Sequence, residues 1–136
     1  MHEWALAEAV VRACARVAEE KRADRVVSVV VKLGELQQID EEAFSYALSE
    51  LSRGTVLEGA RFVLEREEAK LRCRSCGHEW PFSDALALLS HDEREAVHFV
   101  PELVHAFVKC PRCGSPDFDI EGGRGVWVEC VEIERR

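Results

Sequence analysis

Cys73-Arg74-Ser75-Cys76-Gly77-His78 and Cys110-Pro111-Arg112-Cys113-Gly114 repeat one local pattern, and their reading decides how the rest of the chain is organised. Two residues between cysteines let both thiolates point at one ion from a tight turn. A glycine directly after the second cysteine suits the positive φ that such a knuckle needs. Two knuckles supply four thiolates, the closed tetrahedral shell of structural Zn²⁺. Cys76 and Cys110 are separated by 33 residues, more than the zinc-ribbon spacing of about 15–20. The spacing therefore predicts an inserted excursion between the knuckles. The alternative is two unrelated redox pairs, but neither pair has the strand-to-helix context of a thioredoxin-like motif. A four-cysteine shell leaves no position for water, so the predicted zinc is not catalytic. The zinc-deaminase signature also fails: His78 and Glu79 are adjacent, and Pro111 follows Cys110 rather than preceding it.

Upstream, Leu6, Ala9, Val10, Ala13, Cys14 and Val17 fall at helical spacing, with Glu8, Arg12, Arg16 and Glu19 opposite. They predict a helix of about five turns from near Glu3, with Ala23-Asp24 in its exit loop. The valine-rich stretch 26–33 reads as a strand ended by Gly34. Asp40 is a candidate N-cap before Glu41 and Glu42. Phe44, Ala47, Leu48 and Leu51 mark a second helix, stopped by Gly54. Residues 60–69 read as a second strand running towards Cys73. Between the knuckles 84–89 and 92–97 look helical, and Pro101 interrupts. Residues 126–133 read as a last strand with impure alternation. Trp127, Val131 and Ile133 share a face with Glu129, whereas Val126, Val128 and Cys130 share the other, so the core face is left open. The order is helix, strand, helix, strand, cysteine module, strand. It predicts an α+β fold: a small three-stranded sheet with two helices (1–70 and 121–136) and an inserted four-cysteine zinc-binding domain (71–120). Cys14 and Cys130 read as small core residues, with a disulfide between them as the lesser alternative.

The 136 residues are 47% hydrophobic and 32% charged, enough for a packed core under a charged surface. A formal charge of −8 disfavours a phosphate backbone as partner, so no nucleic acid is expected. No apolar run reaches the roughly 20 residues needed to cross a bilayer. The N-terminus lacks the basic and apolar regions of a signal peptide, so no membrane and a cytoplasmic address are expected. There is no H-E-x-x-H helix and no Gly-rich phosphate loop, and an enzyme is not expected.

At the start stands Met1-His2-Glu3. The α-amine of Met1, the amide nitrogen of His2 and its Nδ1 can close two chelate rings on one ion. Such planar nitrogen donors suit Ni²⁺ or Cu²⁺. One corner stays open, for which Glu3 is a candidate; alternatively Glu3 places negative charge at a helix N-terminus. The bland reading is a solvated terminal His-Glu pair.

Met1-His2-Glu3, Lys32-Leu33-Gly34-Glu35-Leu36 after a valine strand, Gly54-Thr55-Val56-Leu57-Glu58-Gly59 before the second strand, and two Cys-x-x-Cys pairs occur together. In this combination the chain resembles the HypA family, the nickel metallochaperones of [NiFe]-hydrogenase maturation, and its long inter-cysteine stretch is like that of archaeal members. The resemblance implies a nickel-binding α+β domain with an inserted zinc domain. It implies nickel held at Met1, His2 and Glu3, with His98 completing the plane, and zinc held by Cys73, Cys76, Cys110 and Cys113. It also implies work with a HypB-type GTPase and delivery to the hydrogenase large-subunit precursor, and some members serve urease. His105 is a weaker candidate for the open corner, and His78 and His91 are supporting or surface residues. Asp40 matches an aspartate proposed near nickel in some members, although its own context favours a helix cap. The competing class is a zinc-ribbon interaction adaptor without metal transfer.

Overall fold

An 18-residue helix, α1 (Glu3–Glu20), begins the part of the chain that the computed structural model describes, residues 2–136. Its apolar positions Ala7, Val10, Cys14 and Ala18 recur at helical spacing and are buried. They pack with α2 (Glu41–Ser52), whose buried face is Phe44, Ala47 and Leu48. Asp40 caps α2: its Oδ1 accepts the Ala43 N–H at 3.1 Å. The cap expected from sequence is thus formed.

Beneath these helices lies a sheet of order β2-β1-β6, from β1 (Arg25–Gly34), β2 (Arg61–Glu67) and β6 (Val126–Glu134). The last strand does return to the first sheet, antiparallel to β1. Val26, Val29, Val31 and Leu33 point into the core. The ambiguity of β6 is resolved by a bulge. Val30 opposes Cys130 and Val31 opposes Val128, so Glu129 is an extra residue. The core face therefore switches phase at the bulge. Val126 and Val128 face inward before it, Val131 and Ile133 after it. Both halves of the alternation were correct, each for its own half-strand.

The chain divides into two compact units. The first comprises the segments up to Leu33, Ile39–Arg66 and Val126–Arg136; the second comprises Gly34–Gln38 and Glu67–Gly125. The second is built on an antiparallel sheet of order β4-β3-β5, from β3 (Ala69–Cys73), β4 (Glu79–Pro81) and β5 (Phe118–Gly122). Three helices, α3 (Phe82–Ala87), α4 (His91–Phe99) and α5 (Val104–Phe107), fill the excursion, with a 3₁₀ turn at Pro101–Leu103. Ser90 and Glu93 form a capping box at the start of α4. Leu71, Phe82, Val97, Val104 and Phe118 are buried together, joined by Leu36.

One expectation is corrected. Residues 60–69 are not a single strand running to Cys73; β2 ends at Glu67 and β3 starts at Ala69, in different sheets. The Ala69 N–H is donated to the Glu35 carboxylate at 2.8 Å, and from Ala69 onward the chain pairs with β5. The segment after β1 enters the same junction: the Gly34 N–H donates to Gly125 O and the Leu36 N–H to Gly123 O.

A Cβ on Gly34 would lie 2.3 Å from the Gly123 carbonyl oxygen, with backbone on the other side of the contact. Gly34→Ala is expected to cost about 1–3 kcal/mol, as overpacking does. Denaturant unfolding checks this, and an unchanged midpoint would contradict the close approach.

Candidate metal centres

Each knuckle is a short turn tied to its own first cysteine. The Gly77 N–H donates to Cys73 O at 3.0 Å, and the Cys73 N–H to His78 O at 2.8 Å. The second turn repeats this with Gly114 to Cys110 O and Cys110 to Ser115 O, both at 2.8 Å. Gly77 and Gly114 adopt φ of 76° and 78°, the left-handed conformation that their position after each second cysteine requires. The knuckles are cross-braced. The Arg74 N–H donates to Asp117 O, its guanidinium contacts Asp117 and Asp119, and Ser75 Oγ meets Ser115 Oγ. Sequence spacing gave no sign of this arginine–aspartate brace, because its partners lie more than 40 residues apart.

The four expected sulfurs are brought together, all within 4.8 Å of one another, with Cys73–Cys113 at 3.5 Å and Cys76–Cys110 at 3.7 Å. A tetrahedron with metal–sulfur bonds of about 2.3 Å has sulfur–sulfur edges of about 3.8 Å. The cage fits Zn²⁺. Its electrostatics also call for a cation. The Cys73 thiol is pulled down to about 6, first by the Cys76 backbone N–H and then by that of Ser75. Cys113 goes the other way, to about 12. The Ser115 N–H favours its thiolate but is outweighed by the crowding of Cys73 and the other sulfurs and by burial. Four sulfurs this close do not all ionise unless a dication compensates them.

The remaining cysteines differ. Cys14 is buried, and desolvation pushes its thiol up to about 11, the signature of an inert core residue. Cys130 is exposed, so its reading as a core residue is corrected. It opposes Val30, between the inward-facing Val29 and Val31, which puts it on the sheet face away from the core. Cys14 and Cys130 are both free thiols.

At the other candidate centre, Met1 lies outside the described residues. His2 is the N-cap of α1, and its carbonyl accepts the Leu6 N–H at 3.0 Å. The helical ladder starts there, so it makes no use of the His2 amide nitrogen. Glu3 is buried, one of two buried polar residues among those described, and its Oε2 accepts the Asp40 N–H at 3.1 Å. Two apolar side chains follow it, Trp4 and Leu6. Leu6 does pack on the core, but Trp4 is 47% exposed and leans edge-on against Tyr46. The buried anchor is Glu3.

The histidines of the excursion separate. His98 is half-buried in the last turn of α4, beside the Phe99 ring. His105 stacks on Phe118 with ring centres 4.3 Å apart, and His78 stacks on Trp80. His91 opens α4 and is exposed. Among the described residues, no helix is long and apolar enough to cross a membrane.

Comparison with known proteins completes the picture. Residues 1–133 match the family model described as HypA, hydrogenase/urease nickel incorporation, metallochaperone. The hydrogenase maturation factor HypA of Pyrococcus horikoshii is 48% identical over 135 residues, covering 99% of this chain and 97% of the relative. That of Methanothermobacter thermautotrophicus is 36% identical over 136 residues, covering 100% and 99%. In fold, the chain is similar to the solution structure of the nickel metallochaperone HypA from Helicobacter pylori, with a TM-score of 0.59 at 20% identity over the whole of both chains.

Protein made without chelators is expected to carry one zinc per chain by elemental analysis. Cys110→Ser should lose it and, with it, the ordered knuckles. A zinc-free wild-type protein would overturn the assignment of the cage.

Proposed function

The chain belongs to the HypA family of nickel-incorporation metallochaperones and is a maturation factor for hydrogenase rather than an enzyme, and from that premise we infer that it takes up Ni²⁺ at Met1, His2 and Glu3 and hands it to a hydrogenase large-subunit precursor with the help of a HypB-type GTPase. Some of the family's description extends to urease, and a urease maturation partner belongs to the same reading. Zinc held by Cys73, Cys76, Cys110 and Cys113 is structural, and nickel is the cargo.

The observation that carries the nickel site is the N-cap position of His2. Binding through the amine, the His2 amide nitrogen and the imidazole requires the amide proton to leave. At any interior helical position that would break a backbone hydrogen bond. At the N-cap it breaks none of the helix's own. Glu3 supports the site from below by fastening the start of α1 to the Asp40 cap of α2. Three nitrogens from Met1 and His2 suit Ni²⁺ in square-planar geometry, and Glu3 stands in the uptake site as a candidate for the one open corner. His98 is the proposed donor to that corner, ahead of Glu3. All of these donors must be neutral or deprotonated to bind, so protons compete with nickel for the site.

His2→Ala is expected to abolish stoichiometric nickel binding in calorimetry while leaving zinc in place; an unchanged nickel affinity would return the chain to the zinc-ribbon adaptor class. Extending the N-terminus by a few residues blocks the amine and should alter the planar Ni²⁺ absorption, and identical spectra would argue against amine ligation. His98→Ala should change the same absorption band, and a superimposable spectrum removes His98 from the ligand set.

A further inference from the structure

The sheet of the first unit ends at β6, and among the described residues no strand pairs with its outer side. That edge is overhung by α1. Two adjoining cavities of about 310 and 230 Å³ run between the helix and the strand, sharing Ala13 and Val128. Their walls are mostly apolar, with Leu6, Val10 and Val17 from the helix and Val126, Val128 and Val131 from the strand, and Glu129 reaches the first of them at the bulge. An edge strand offers a row of outward backbone N–H and C=O groups, and a furrow beside it has the place and shape of the next strand's inward side chains.

The opposite face of β6 sets the chemistry of what can pair there. Glu132 and Glu134 are exposed on the side away from the core, together with Trp127, whose indole N–H donates to the exposed Glu129 at the bulge. In an added strand the residues facing this side would stand directly across from the carboxylates, where opposite charges stabilise and like charges repel. The other side of the added strand would face the apolar furrow, with Arg12 and Arg16 exposed on the outer flank of α1. Away from Glu129 the furrow side thus disfavours lysine or arginine, and the solvent side favours them. A second copy of this chain would bring the same carboxylate row and a formal charge of −8 to the pairing, which disfavours it.

We propose that the β6 edge is a docking site for an extended segment of a partner protein that alternates small aliphatic with basic residues and adds to the sheet as its fourth strand. The bulge at Glu129 limits regular pairing to the stretches on either side of it. The bulge and the carboxylates guard the edge against indiscriminate pairing while admitting a basic strand.

The test uses the full-length zinc-loaded chain and two synthetic ten-residue peptides, one alternating valine and lysine, the other valine and glutamate. The lysine peptide is expected to bind at least tenfold more tightly by calorimetry, with amide shifts in β6 and along the Ala9–Ala13 flank of α1. Ala13→Trp fills the furrow from an exposed helix position and should abolish binding while leaving zinc content and circular dichroism unchanged. Glu129→Lys with Glu132→Lys should reverse the preference between the peptides. Equal affinities, no binding at millimolar peptide, or full binding by Ala13→Trp would overturn the proposal. So would a wild-type dimer in sedimentation that Ala13→Trp converts to monomer, since that assigns the edge to a second copy. His2→Ala should bind the lysine peptide like the wild type, so the outcome does not depend on the nickel site.

Discussion

Everything in the first unit depends on one long-range contact, the antiparallel pairing of β1 with β6. The two strands lie at residues 25–34 and 126–134, with the larger segment of the second unit, Glu67–Gly125, between them in sequence. Without β6, the inward valines of β1 would be flanked on one side only, and α1 would lose Val126, Val128, Val131 and Ile133 beneath it. Closing so long a loop costs conformational entropy, although the cost grows only slowly with length. The second unit shortens the effective loop. Ala69 pairs with Gly122 at the open end of its sheet, so the excursion leaves and returns at neighbouring backbone positions. The metal cage pins the other end, tying Cys73 and Cys76 to Cys110 and Cys113. A structural ion in this cage would constrain the chain from which β6 must return.

The glycine junction shows how tightly that return is specified. Gly34, Gly123 and Gly125 bring backbone against backbone, with N–H donors at Gly34 and Leu36 satisfied by carbonyls at Gly125 and Gly123. Gly123 takes a φ of 68°, and a Cβ there would meet the Ala69 Cβ at 2.6 Å. The Lys32-Leu33-Gly34-Glu35-Leu36 stretch therefore has a physical reason for its composition. Its glycine permits the crossing, its glutamate satisfies the Ala69 N–H, and its last leucine enters the second core.

Much of this was legible in the residues, and the parts that were not share a cause. Helix faces followed from apolar spacing, the Asp40 cap from its place before Glu41 and Glu42, and the knuckles from two cysteine pairs with trailing glycines. Each of these is a local rule. The split at Glu68, the bulge at Glu129 and the exposure of Cys130 depend on which distant backbone is opposite, and no local pattern carries that information. The impure alternation of β6 was the one trace: two half-strands in opposite phase are what a single inserted residue leaves behind. The buried role of Glu3 was hidden for the same reason, since its partner is the Asp40 amide 37 residues away.

A structural ion and a cargo ion call for opposite kinetics, and the two candidate metal sites are built from opposite parts of the chain. The zinc cage draws on four thiolates in two turns that are braced by backbone hydrogen bonds and by Arg74 with Asp117 and Asp119. Losing zinc means disordering a unit, because the ligands belong to the fold itself. On the proposed reading, nickel instead sits at the chain's end, where the helical ladder has no claim on the amide it uses. Glu3 and Asp40 fix the start of the helix, so the imidazole has a defined origin at its first residue. A site of that kind can be dismantled by withdrawing a single donor, with no cost in helix or sheet. That is the physical requirement for an ion that must be held selectively and then given away.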